Sequence, residues 1–172
     1  SGVRFACGEW SIRSRQTCPA AARGHEPKMV IYATNLTPGV MKLAQAIEEQ
    51  IVRDEELKWS FVEILDEKGA RSAVKSADYY SVEETDERLK EVHDLAEKYE
   101  IKRLTFGLST SPREKERERI GIPDDADALV VFMRRQKRQS RMVRFVQAVD
   151  SSELDETMIE SLILKMNKIY LR

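Results

Sequence analysis

Met29-Val30-Ile31-Tyr32-Ala33-Thr34-Asn35-Leu36-Thr37-Pro38-Gly39-Val40 decides the fold class of this chain. Residues 29–33 carry no charge and are mostly β-branched or aromatic, which is strand composition. Thr37-Pro38 then supplies a helix cap and a first-turn proline. Val40, Leu43, Ile47 and Ile51 recur at helical spacing to about residue 54. A strand that turns sharply into a helix is the opening unit of an α/β sandwich.

The same unit repeats downstream. Residues 58–65 (Lys-Trp-Ser-Phe-Val-Glu-Ile-Leu) read as a second strand, and 66–80, with Gly69, as a loop. Ser81 and Glu84 form a capping box, and Leu89, Val92, Ala96 and Tyr99 make the apolar stripe of a second helix. Residues 104–108 give a short strand, after which Ser111, Pro112 and Glu114 predict a capped, charged helix ending near Gly121. Its alternating charges over 114–119 predict an exposed helix with internal ion pairs. Residues 129–133 and 142–149 predict a hairpin, and Ser152 with Asp155 starts a closing helix bearing Leu154, Met158, Leu162, Met166 and Ile169.

The order is βαβαβαββα. Strands alternating with helices predict a mixed sheet with helices on both faces, its last two strands antiparallel because their linker is too short for a crossover. Residues 1–28 show neither period and read as an irregular arm holding both cysteines; 29–172 read as the domain. With 172 residues, 41% of them hydrophobic, the chain can bury a core without staples. A net charge of -1 gives no overall pull toward polyanions. The longest uncharged apolar runs fall far short of the roughly 20 residues that span a bilayer. Ser1-Gly2, without Met or a leader pattern, reads as a processed terminus, with a removed signal peptide left open.

In this order of elements the chain resembles the thioredoxin superfamily, specifically its peroxiredoxin and TlpA-like branch. Leu104-Thr105-Phe106-Gly107-Leu108-Ser109 resembles the strand those proteins set before a short helix, and Ile120-Gly121-Ile122-Pro123 the stretch leading to the final hairpin. Cys18-Pro19-Ala20-Ala21, with Pro27 opening the strand, is similar to uncharacterised thioredoxin-like proteins of planctomycete-type bacteria that carry Cys-x-x-Cys there. The resemblance implies a thioredoxin-like three-layer α/β/α sandwich and an extracytoplasmic bacterial setting. It also marks three departures. Thr37-Pro38-Gly39 occupies the turn where a helix N-terminus would lower a thiol pKa. Asp127-Ala128 stands where the family places a cis-proline. Ala21 replaces the second cysteine of the pre-strand pair, either naturally or by substitution.

The resulting expectation is a non-catalytic binding or structural module with no cofactor and no metal. Its vacant active-site face, with Thr34, Asn35, Thr37, Pro38 and Asp127, would meet a protein or peptide partner. The rival is a thiol-disulfide oxidoreductase or redox sensor using Cys18 with Cys7; a simple disulfide staple or two idle thiols are the plainer readings of that pair. A third reading takes Arg134, Arg135, Lys137, Arg138, Arg141 and Arg144 as a basic hairpin that grips anions or nucleic acid, against a solvated tip that blocks edge association. Cys7, Cys18 and His25 match no compact zinc spacing. His93 reads as a partly exposed helical residue, and no dinucleotide, Walker, serine-elbow or zincin motif is present. Homo-oligomerisation stays open.

Overall fold

The strand β1 (Lys28–Ala33) forms the middle of the sheet, because its residues pair on both sides. In this computed structural model, which describes residues 27–70, 76–134 and 143–170, β1 leads into helix α1 (Pro38–Arg53). A 3-10 turn (Glu55–Trp59), β2 (Phe61–Ile64), α2 (Val82–Lys98), β3 (Thr105–Leu108) and α3 (Arg113–Ile120) follow. The chain then forms β4 (Ala128–Met133), β5 (Val143–Val149), a second 3-10 turn (Ser151–Glu153) and α4 (Glu156–Tyr170). The arm carrying Cys7 and Cys18, and with it His25, lies outside the described residues.

The five strands lie in the order β3-β2-β1-β4-β5. β1, β2 and β3 are parallel, whereas β4 runs antiparallel to β1 and β5 antiparallel to β4. This is the mixed sheet expected of a thioredoxin-like sandwich. The steps from β1 to β2 and from β2 to β3 go the same way across the sheet, so two right-handed crossovers place α1 and α2 on one face. There they share a core with α4, built on Met29, Ile31 and Ala33 from β1 and on Val62, Ile64, Phe106, Val130 and Phe132. Alternation sends Val30, Phe61, Leu65, Leu129 and Val131 to the opposite face, under Ile120 and Ile122 at the end of α3. The helices thus cover both faces unequally.

Several element boundaries move from their sequence expectations. The second strand begins at Phe61, because Asp54 accepts from Glu56 N (3.0 Å) and starts a 3-10 turn that takes in Lys58 and Trp59. Ser111 caps nothing. Pro112 occupies the N-cap of α3 without a side-chain bond, and Arg113 N donates to Asp66 O (2.9 Å) instead. The closing helix starts at Glu156, where Asp155 Oδ1 accepts from Met158 N (2.9 Å); Ser152 belongs to the preceding 3-10 turn. The expected exposed face of α3 also needs correction, since Glu116 is only 6% exposed and turns toward the sheet.

The predicted capping box is present: Ser81 Oγ accepts from Glu84 N (3.1 Å), and Glu84 Oε2 from Ser81 N (3.3 Å). At the other end of α2, Glu100 adopts a left-handed φ of 57°, and Ile101 N reaches back to Ala96 O (2.9 Å). That is a Schellman closure with glutamate where glycine is usual. Among the described residues no helix is long and apolar enough to cross a membrane.

Candidate functional site

Because β4 runs against β1 and β5 against β4, one end of the sheet collects the exits of β1, β2, β3 and β5 and the entrance of β4. In open α/β sheets this carboxyl end is where ligand sites form, since the loops there are free to vary. Here it brings together Thr34, Thr37, Asp127 and Ser151.

Thr34 leaves β1 with its N–H donating to Asp127 O (2.9 Å) and its hydroxyl to the same oxygen (3.2 Å). Asp127 Oδ1 accepts from Ser151 N (2.7 Å) and Oδ2 from Ser151 Oγ (2.5 Å). Thr37 Oγ1 in turn donates to Ser151 Oγ (2.8 Å) while accepting from Val40 N (3.3 Å) as the α1 cap. The Thr37 and Ser151 hydroxyls thus donate in series toward the Asp127 carboxylate. Gly39 allows the close fit, because a Cβ there would sit 2.2 Å from Ser151 O.

Beside this corner, Arg113 at the start of α3 donates Nε to Leu65 O (2.8 Å) and Nη2 to Thr34 O (3.0 Å). One guanidinium therefore ties the ends of β1 and β2. Arg117 Nη2 does the same for the loop before β4, reaching Pro123 O and Ala126 O, each at 2.9 Å. Asp66, buried at the end of β2, takes Arg88 Nε (2.8 Å) and Tyr80 OH (3.3 Å) on Oδ2. Burial, and then the Asp66 carboxylate, push the Tyr80 hydroxyl pKa up.

Of the residues singled out from the sequence, the fold joins Thr34, Thr37 and Asp127, and leaves Asn35 and Pro38 exposed at the rim. Gly39 lies within the face, 34–39, that the sequence marked, whereas Ser151 and Arg113 were missed. The only local signal for Ser151 was the 3-10 cap at Asp150, since Thr37 and Ser151 are 114 residues apart. From the basic hairpin, Arg134 is partly buried at the end of β4; Arg135, Lys137, Arg138 and Arg141 lie outside the described residues. A hydroxyl bonded straight to a carboxylate, with no imidazole between them among the described residues, does not make an activated nucleophile. The arrangement can hold loops rigidly and present their exposed polar groups.

Two other features lie apart from this corner. On α2, His93 stands 3.6 Å from both Asp94 Oδ1 and Glu97 Oε1, with all three side chains at the helix surface. Between α1 and α2, at the opposite end of the sheet, a groove of about 620 Å³ is lined by Glu48, Tyr99, Lys102 and Arg103 among others. Glu48 is committed within it, accepting from Arg103 N and Leu104 N, each at 2.8 Å.

No protein-family model and no curated protein matches this sequence. Among solved structures, the chain is similar to a peroxiredoxin-like protein from Aquifex aeolicus, at 14% identity and a TM-score of 0.49 over 86% of this chain and 74% of that one.

Proposed function

We propose that this chain is a thioredoxin-like module that binds a protein or peptide at the carboxyl end of its sheet and carries out no thiol chemistry there. One observation carries the reading. The Thr37–Ser151–Asp127 chain fills the corner between β1, α1 and β4 with mutually satisfied hydroxyls, on a turn whose sequence has no cysteine. A corner so closed is a fixed platform rather than a reactive pocket. Asn35 and Pro38, exposed on its rim, offer an amide and an apolar ring to an extended segment. In an extracytoplasmic bacterial setting, Cys7 and Cys18 would form a bridge that staples the arm.

Selection from a random peptide library displayed on phage, with the full chain as bait, tests this reading. Enriched peptides should shift the amide resonances of Thr34–Gly39 and Asp127–Ala128, and should lose at least tenfold in affinity when Asn35 and Pro38 are both replaced by Arg. Peptides bound equally well by that variant would overturn the proposed surface. Insulin-disulfide reduction that turns over in the parent and stops in Cys18→Ser would overturn the non-catalytic reading.

A further inference from the structure

The groove between α1 and the segment joining α2 to β3 lies at the end of the sheet away from the corner, and its walls are tied together. Gln45 on α1 donates Nε2 to Tyr99 O (2.9 Å), and Glu48, one turn further on, accepts from Arg103 N and Leu104 N on Oε1 (each 2.8 Å). These bonds span 54 to 56 residues of chain and fix α1 against the joining segment. The groove is therefore preformed, and its volume of about 620 Å³ is that of a small-molecule site.

Glu48 directs its charge inward: it is buried, and its Oε2 lies 3.6 Å from Arg103 Nη1. Four other charged side chains of the lining have no such partner. Glu49 and Arg53 on the α1 wall, and Glu100 and Lys102 on the other, form no side-chain hydrogen bond or ion pair among the described residues. Glu49 and Arg53 are four residues apart, the spacing of an ordinary helical ion pair, yet remain unpaired. Each wall thus presents one open carboxylate and one open cation. Val52, 60% exposed, and Tyr99 supply apolar surface. Glu100 also adopts the left-handed φ of 57° that favours glycine, and its carboxylate makes no local bond that would compensate. Strain of this kind collects at binding sites.

We infer that this groove binds a small zwitterion: a free amino acid or short peptide with an apolar side chain, its ammonium and carboxylate groups both unblocked. A ligand of one sign meets a repelling group on each wall, whereas a ligand carrying both signs finds a partner for each of its charges. Its ammonium pairs with Glu49 or Glu100, its carboxylate with Arg53 or Lys102, and its side chain covers Val52 and Tyr99. The site shares no residue with the corner of Thr34, Thr37, Asp127 and Ser151, so it stands whether or not that end receives a peptide.

Nitrogen-15 NMR of the full chain, titrated near neutral pH and at constant ionic strength with L-leucine and with the tripeptide Gly-Leu-Gly, tests it. At least one of these probes should shift the amides of residues 45–53 and 99–104 along a saturable curve, with a Kd of about 1 mM or tighter. Leucine alone supports a free amino acid as the ligand, and the tripeptide alone supports peptide termini. Blocking either charge of the active probe, by N-acetylation or by C-amidation, should weaken binding about tenfold or more. Glu100→Gly, which relieves strain and keeps the fold, should lose a similar factor, as should the exposed Lys102→Ala. The inference is overturned by the absence of a saturable shift up to roughly 50 mM of both probes, by doubly blocked N-acetyl-leucinamide binding as well as leucine, or by both variants binding like the parent. Shifts confined to residues 34–39 and 127–128 also overturn it, since they put the probe at the other end of the sheet.

Discussion

Replacing Asp127 by Ala removes both carboxylate oxygens from the corner where Thr34, Thr37 and Ser151 meet. Ser151 is 3% exposed, so its N–H (2.7 Å) and its hydroxyl (2.5 Å) both lose their acceptor in a place with little access to water. A hydrogen bond to a charged group contributes about 1.5–3 kcal/mol net, and a buried donor left unpaired costs about 1–3 kcal/mol. Asp127 itself is only partly buried, so water recovers part of this loss. The expected destabilisation is about 3 kcal/mol, read as a lower urea midpoint at unchanged slope, or as a melting temperature down by about 6–12 °C for a chain of this size. Asp127→Asn keeps an oxygen for Ser151 N, and its rotatable hydroxyl partner can accept from the new amide; the expected cost is about 1 kcal/mol. A double-mutant cycle with Ser151→Ala should return a coupling of about 1–3 kcal/mol. Asp127→Ala within about 0.5 kcal/mol of the parent, or Asp127→Asn as costly as Ala, would refute the claim that this network closes the corner.

Glu48→Ala should destabilise by about 2–4 kcal/mol in urea titration, because Arg103 N and the fully buried Leu104 N lose their shared acceptor, and Glu48→Gln should recover most of that loss. Glu100→Gly should stabilise by about 0.5–1 kcal/mol by relieving the left-handed φ of 57° at the end of α2, and a neutral or negative result would contradict the strain argument. Stability should also vary with pH through Glu63. Partial burial on β2 raises its folded pKa from 4.5 to about 7, so between those values the folded state keeps a proton that the unfolded chain releases. Its contribution therefore falls as pH rises through that window and is flat on either side. At ~1.4 kcal/mol per pH unit the full loss is at most roughly 3.5 kcal/mol. Urea midpoints of Glu63→Gln minus parent should widen over that window; a constant difference counts against it.

How far the sequence reached can be judged residue by residue. The β1 strand, the Thr37 cap, the Ser81–Glu84 capping box and the stripe Leu89, Val92 and Ala96 were all legible, since each rests on neighbours within a turn or two. The hairpin of β4 and β5 was legible because a short linker permits no other pairing. Three of the corner residues, Thr34, Thr37 and Asp127, were nominated through the family resemblance, which sets an active-site turn and a pre-hairpin loop at those positions. Their partner Ser151 was not, because its one local mark, the 3-10 cap at Asp150, carries no trace of Thr37 or Asp127. The charged helix α3 misled for a related reason: alternating signs over residues 114–119 look solvated until the sheet beneath buries Glu116.

By itself the sequence determined the alternation of strands and helices, their approximate bounds and the absence of cysteine after β1. Those follow from periodicity, capping and composition, which act over a few residues. Only the tertiary structure decided which faces the helices cover, that Thr37, Ser151 and Asp127 form one hydrogen-bonded chain, that Glu48 caps the entry to β3, and that Arg113 ties the ends of β1 and β2. The physical reason is distance along the chain: Thr34 and Asp127 are 93 residues apart, and Glu48 and Leu104 are 56 apart. Directional bonds of that span leave no periodic trace, because they exist only once sheet order and register have brought their groups together.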